Sequence, residues 1–405
     1  MGTDTFGMPE NRTPSRRRFW MISVTAVFLL TVVLLGYVSM RGQSRWNIIR
    51  GLPGYCGVKY KSNVPGPVRK LIGEPICHRL FDRPDKLVIR YFEGWNPPVP
   101  LKLIGAVEKL DTLNEMVISS AYIPKSQLEQ IPAPPNVTRL GMANYLSACS
   151  ETCMVDADRE PPPRPEYAWN GQDMAFLRRF KNLRKLELRA LWLRTGVFDV
   201  IGDLSQLEIL SFRSCDLPSG EELPSLGRLQ KLRILTFSGS PTPILDLEWM
   251  SDMESLEEFT LASCDRVDES MLRTLAKLPR LKILRLGGGI LTKDAASAFG
   301  VFPSLRVLNL SGAKMELESL DQLVVPQNLE WLEIDGVQFR PLDSWDEYFE
   351  KLGELMKTLP HGCKILLDQQ AYQQSQPRLS PNVIYRLTDK PRDEPNEDIM
   401  FPDGY

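Results

Sequence analysis

Gly287, Gly288 and Gly289 directly follow the apolar alternation "LKILRL" of residues 281–286. A glycine-rich turn after a strand is a place where backbone N–H groups can cradle phosphate oxygens. That chemistry also needs a Lys followed by Ser or Thr, or else the spaced G-x-G-x-x-G, and "GGGILTKDAAS" contains neither. Proton-transfer residues are scarce, since the chain has only two histidines, His78 beside Cys77 and His361 two residues from Cys363. A Cys–His pair becomes nucleophilic only when the imidazole can take the thiol proton. Adjacent side chains such as Cys77 and His78 rarely converge, and a plain turn is the stronger reading of His361-Gly362-Cys363. Cys56 with Cys77 and Cys149 with Cys153 are either disulfides of an oxidising compartment or unpaired small residues. Neither pair has a second Cys or His cluster at zinc spacing. With no G-x-S-x-G, H-E-x-x-H or Walker sequence present, an enzyme is not expected, and no catalytic residue, cofactor, metal or small-molecule substrate is assigned.

Composition leaves room for a large core: 405 residues, 43% hydrophobic and 25% charged, are the balance of a globular chain. The 49 Lys and Arg against 51 Asp and Glu give no basic footprint, so nucleic acid is not an expected partner. Residues 19–40, "FWMISVTAVFLLTVVLLGYVSM", carry no charge. As a helix they reach about 33 Å, against roughly 30 Å of hydrocarbon. A cleavable signal has a shorter apolar run and a small-residue exit. Here the exit is Gly36 to Met40, so an uncleaved single-pass anchor is expected. Arg12, Arg16, Arg17 and Arg18 precede it, while Arg41, Arg45 and Arg50 follow, a small bias toward a cytoplasmic N-terminus. Ser15 to Phe19 is also similar to the S-R-R-x-F core of a twin-arginine export signal. Either reading sends the C-terminal bulk across the membrane, to a periplasmic or extracellular location.

The elements that would position any site come from a repeat. The pattern L-x-x-L-x-L starts at 183, 207, 232, 256, 281, 305 and 329, with spacings of 24 or 25 residues, and all three patterned positions are apolar in every unit. Weaker units start at 113 and 137, and "KLVIRYF" at 86 is a degenerate first strand. The chain thereby resembles the leucine-rich-repeat family. The resemblance implies an α/β solenoid, with a curved parallel sheet on the concave side and helical or irregular returns on the convex side. Cys215 and Cys264 at the ninth position, with "CDRVDESMLRTLAKLPRL" from 264, resemble the cysteine-containing, ribonuclease-inhibitor-like type. Leu191, Ser240, Gly289, Ala313 and Val337 depart from it there. The glycine run fills the seventh to ninth positions, where the other units also carry small residues, so it is expected to be structural. Both cysteines are expected in the core.

The proline-rich gap of 46 residues between 137 and 183 reads as an insertion near 146–175, with a lost repeat as the alternative. Residues 343–368 are expected to close the solenoid. Trp345, Tyr348, Phe349, Leu352, Leu355 and Leu359 fall at helical spacing behind a capping box of Ser344 and Glu347, and a last strand runs through Ile365 and Leu367. Residues 369–405 read as a disordered tail. The organisation is then a cytoplasmic tail (1–18), the anchor (19–40), a basic juxtamembrane linker and cap (41–80), the solenoid (81–342), the closing helix and strand, and the tail. Arg41, Arg45, Arg50, Lys59, Lys61, Arg69, Lys70 and Arg79 make 41–80 either a solvated cap or a contact for anionic head groups.

On the concave side the second positions, Arg184, Glu208, Arg233, Glu257, Lys282, Arg306 and Glu330, mostly alternate in sign and should pair along the stack. The fifth and seventh positions, Glu187, Arg189, Ser211, Arg213, Thr236, Ser238, Thr260, Arg285, Asn309, Ser311, Glu333 and Asp335, form a polar, mixed-sign surface that suits a protein or peptide better than a small apolar ligand. Asn136-Val137-Thr138 and Asn309-Leu310-Ser311 fit the glycosylation sequon. The expected function is a non-catalytic, membrane-anchored protein that binds or scaffolds a protein partner. A structural envelope component working through its tail or basic segment is the alternative, and an enzyme subunit or a cytosolic adaptor of inverted orientation is less favoured.

Overall fold

A computed structural model of the chain describes residues 40–50, 52, 56–61, 64, 66–73, 76–77, 82–91, 107–120, 132–143, 168–218, 220–239, 247–262, 266–339, 344–367 and 383–385. The apolar run 19–40, apart from Met40, lies outside them, as do His78, Cys149, Cys153, Cys264 and most of 369–405. Among the described residues no helix is long and apolar enough to cross a membrane. Two compact units hold them, one within residues 1–52 and 58–85, the other within 53–57 and 86–405.

In the first unit, residues 40–50 and Gly66–Ile72 are helical. Arg69 grips both carboxylate oxygens of Asp82 at 2.5 and 2.6 Å, and the Asp82 side chain is fully buried. A carboxylate survives such burial only with a charge-assisted partner. Arg69 therefore serves the fold and drops out of the basic set that a membrane surface would meet. Cys77 is buried here, and both it and Cys56, which belongs to the second unit, are free thiols. Burial pushes the Cys56 thiol up to about 11, which keeps it protonated and inert.

In the second unit the patterned stretches are strands of one parallel sheet, stacked in chain order. Leading from residue 86 of Arg83–Tyr91, they are Glu115–Ser120, Arg139–Ala143, Lys185–Arg189, Ile209–Arg213, Ile234–Ser238, Glu258–Ala262, Ile283–Gly287, Val307–Asn309, Trp331–Glu333 and Lys364–Leu367. The first, fourth and sixth positions of the seven strong units point inward, none more than 3% exposed. A buried leucine contributes about 1.5–3 kcal/mol, so these columns are the main source of stability. Phe212 stacks on Phe237 at 5.1 Å, with Phe198 and Phe259 closing edge-on at 5.7 and 6.5 Å. Backbone bonds set the spacing between coils. The second-position carbonyls from Arg184 to Arg306 each take two N–H groups from the next coil, as Arg184 does from Glu208 at 2.7 Å and Ile209 at 2.9 Å, and Glu330 takes one, from Lys364 at 2.9 Å.

The turn leaving each strand explains the glycines. In the seven strong units every described eighth-position residue has positive φ: Ala190, Ser214, Gly239, Gly288, Gly312 and Gly336. This left-handed step aims N–H groups at the next coil, Ala190 at Arg213 O (2.8 Å) and Ser214 at Ser238 O (2.7 Å). A Cβ on Gly287 would meet Ser311 O at 2.9 Å, and the Gly289 carbonyl accepts from Lys314 N at 2.8 Å. The triple glycine thus makes a turn and a close contact between coils.

Beyond the turns runs a short parallel ribbon of Arg266–Val267, Ile290–Leu291, Lys314–Met315 and Gln338–Phe339. The returns are short: α-helical at Val197–Gly202, Glu269–Leu275 and Lys293–Ala298, and 3-10 at Gly220–Arg228, Glu248–Met250 and Leu317–Leu320. Pro224, which has no N–H to give, sits inside the first of these 3-10 segments.

Arg139–Ala143 pairs directly with Lys185–Arg189, Gly141 opposite Glu187, so no repeat is lost between them in the main sheet. Ala168–Trp169 pairs with Trp192–Leu193, and Asn170 caps the following helix, accepting from Gln172 N and Asp173 N while Asp173 answers its backbone N–H. Residues 168–179 are thus the return half of that coil. Of the insertion expected near 146–175, residues 168–175 belong to that coil instead, and 146–167 lie outside the described residues.

The closing helix is Trp345–Thr358, with Tyr348, Phe349, Leu352 and Leu355 buried. Ser344 Oγ accepts from Asp346 N at 3.1 Å, two residues into the helix. After Lys364–Leu367 comes a strand that the reading of 369–405 as disordered did not foresee. Val383–Tyr385 pairs in parallel with it, Ile365 opposite Val383. A sheet edge supplies the backbone partners that three residues lack by themselves.

Candidate binding face

In a strand, alternate residues share a face, so the third, fifth and seventh positions of each unit look away from the core together. The fifth positions stand in register as Glu187, Ser211, Thr236, Thr260, Arg285, Asn309 and Glu333. In the seventh column, Arg189 is opposite Arg213 and Arg213 opposite Ser238. The sheet brings the residues chosen from sequence into two adjacent columns.

Three of them are not available as surface contacts. Glu187 is 2% exposed, Ser211 7% and Asp335 3%. Short side chains sink between long neighbours, and Glu187 turns toward Arg213 Nε at 3.7 Å. Asp335 accepts from the Ser311 hydroxyl, and Glu333 accepts from the Asn309 amide. Ser311 N also donates to Asn309 Oδ1 at 2.8 Å, so the second sequon is held inside the sheet. In the first sequon, Asn136 is exposed and its amide donates to Asp111 O.

The third column was missed by the sequence reading. It runs Lys185, Ile209, Ile234, Glu258, Ile283, Val307, Trp331 and Lys364. Ile209, Ile234, Ile283, Val307 and Trp331 are half-buried apolar side chains on the open face. Glu258 interrupts them but is neutralised by Arg285 of the next coil, and Lys364 Nζ lies 4.9 Å over the Trp331 ring. Period-two alternation carried outward from the leucines at the fourth and sixth positions would have found this column.

The second-position charges pair as expected. Arg184 meets Glu208 at 3.3 Å, Glu257 bridges Arg233 and Lys282 at 3.1 and 3.2 Å, and Arg306 meets Glu330 at 2.9 Å. Hydrogen bonding from Arg233 holds the Glu257 carboxyl below its usual range.

The thiols are core groups. Cys215 is fully buried, its Sγ 3.3 Å from Leu188 O, and burial pushes it up to about 12. Cys363 is buried 3.8 Å from Lys364 O and raised to about 11, while His361 is exposed. A thiol so protonated is no nucleophile, and the dyad reading of 361–363 falls.

These repeating coils define a leucine-rich-repeat fold of the α/β solenoid class. Residues 167–359 match the family described as a leucine-rich repeat region. No curated protein matches the sequence. Among solved structures, internalin C2 of Listeria monocytogenes is similar at 16% identity and a TM-score of 0.34, over 49% of this chain and 75% of that one. The plant peptide hormone receptor RGFR1, solved with RGF2, is similar at 15% and 0.39, over 69% of this chain, and the TLR13–ssRNA13 complex at 17% and 0.46, also over 69%. The chain spans only 39% and 35% of those two receptor chains.

Proposed function

We propose that this protein is a non-catalytic module that captures or scaffolds a protein partner on the open face of its sheet. One observation carries the reading: five apolar side chains, Ile209, Ile234, Ile283, Val307 and Trp331, are aligned on a face whose other groups are polar. An apolar strip flanked by hydroxyls and charges is the make-up of a protein interface, with an aromatic anchor at one end. Inert, buried Cys215 at the ninth position supports both the non-catalytic role and the cysteine-containing, ribonuclease-inhibitor-like reading of the repeat.

Residues 19–40, uncharged and long enough to span hydrocarbon, favour a membrane anchor with the repeats on the exported side. Added protease on intact cells should then remove the repeats, and repeats protected on intact cells but cleaved after lysis contradict the topology. The binding role is tested by a photo-crosslinking amino acid introduced in the native host. At positions 234 or 307 it should trap one protein, and at the exposed return-face positions Arg273 or Lys293 it should not. Adducts from the return face alone would reject the reading.

A further inference from the structure

Arg189 and Arg213 are register partners on neighbouring parallel strands, so their backbones are about 4.8 Å apart and both side chains leave the same face. Like charges placed opposite each other in a sheet are destabilising unless answered. The fold answers them incompletely. Glu187 reaches Arg213 Nε only at 3.7 Å, and that Nε is buried without a hydrogen-bond partner. The Glu187 oxygen that faces it is likewise buried and without one, so these two groups answer each other across the strands. Arg189 has no ion pair or side-chain hydrogen bond among the described residues. Further along the face Arg285 has Glu258, Asn309 has Glu333 and Ser311 has Asp335.

A half-exposed guanidinium that meets no acceptor within the fold offers its donors to one from outside, and Arg189 is such a group. Two adjacent guanidinium groups fit a group with two oxygens and a negative charge. Ile209, four residues back along the Arg213 strand, lies about 13 Å away, the span of roughly four extended residues.

We infer that Arg189 and Arg213 form a carboxylate-accepting subsite for an acidic side chain of the protein partner, with an aliphatic residue of the same partner segment resting on Ile209 and Ile234. This rests on the open face being the partner-binding surface.

The test is selection of a random dodecapeptide library on the purified full chain. The peptides are joined to phage coat protein through their C-termini, so that only side-chain carboxylates are offered. Enriched peptides should carry Asp or Glu above the library frequency and should bind Arg189→Gln at least about tenfold more weakly, the worth of a charge-assisted hydrogen bond. Arg189 gives the fold no pairing, so this variant should melt at or above the wild-type temperature and the loss cannot be ascribed to unfolding. Peptides without acidic enrichment, equal binding to Arg189→Gln, or no enrichment at all would overturn the inference. Binding that survives Arg189→Gln but is lost in Ile234→Lys sinks the subsite alone and leaves the open-face function standing. Survival in both variants sinks both.

Discussion

Ala190 and Ser214 hold φ values of 56° and 49° at a turn position that glycine fills at Gly239, Gly288, Gly312 and Gly336. An L-residue there bears roughly 1–2 kcal/mol of steric cost, and replacing it with glycine returns part of that as unfolded-chain entropy. Ala190→Gly and Ser214→Gly should each raise the urea-derived stability by about 0.5–1 kcal/mol, and Gly288→Ala should lower it by about 1 kcal/mol. Cys215 makes a second prediction. Below pH 9.0 both states keep the thiol proton, whereas between 9.0 and about 12 only the unfolded chain releases it, so stability falls as pH rises through that window. Urea midpoints at pH 8 and 10.5 should differ less in Cys215→Ala than in wild type, and an unchanged difference would deny the thiol this role. At this scale the sequence carried the glycines and the thiol, because both follow from a column of equivalent positions. Exposure was less legible: Glu187, Ser211 and Asp335 share a strand parity with exposed residues, yet their depth depends on neighbouring side chains that no spacing reveals.

Among the elements, buried columns outweigh charged ladders. Leu352 is fully buried in the closing helix, and Leu352→Ala should cost about 2–5 kcal/mol by denaturation. Glu257→Gln breaks two ladder contacts, yet exposed pairs of this kind contribute little, so less than about 1 kcal/mol should be lost. The reverse ranking in equilibrium unfolding would mean that the ladder, and not the leucines, holds the coils together. The strands were legible because L-x-x-L-x-L fixes both their place and their buried side. Val383–Tyr385 was not, since three apolar residues in a polar, proline-bearing stretch become a strand only where the edge at Lys364–Leu367 waits for them. Residues 168–175 were absorbed into the insertion for a similar reason. The capping role of Asn170 and the pairing of Ala168–Trp169 are set by the coil that follows.

Across the whole repeat unit each coil leans on the next through second-position carbonyls and shared leucine columns, so stability is carried from neighbour to neighbour. Loss of the closing helix should therefore be felt first at its end. In Leu352→Ala, hydrogen exchange should rise in 331–339 before it rises in 209–213, and uniform loss of protection would point to a single all-or-none core. The fold was legible at this scale because a repeat multiplies one local signal, whereas the apolar third column was passed over because attention to polar positions hid it. The direct measurement is the affinity of the trapped partner for two paired variants. Ile234→Lys with Val307→Lys should weaken binding by about thirtyfold or more, as for central interface anchors. Arg273→Glu with Lys293→Glu, on the return face, should leave it within about twofold. Undiminished binding to the first pair and loss in the second would contradict the assignment of the open face.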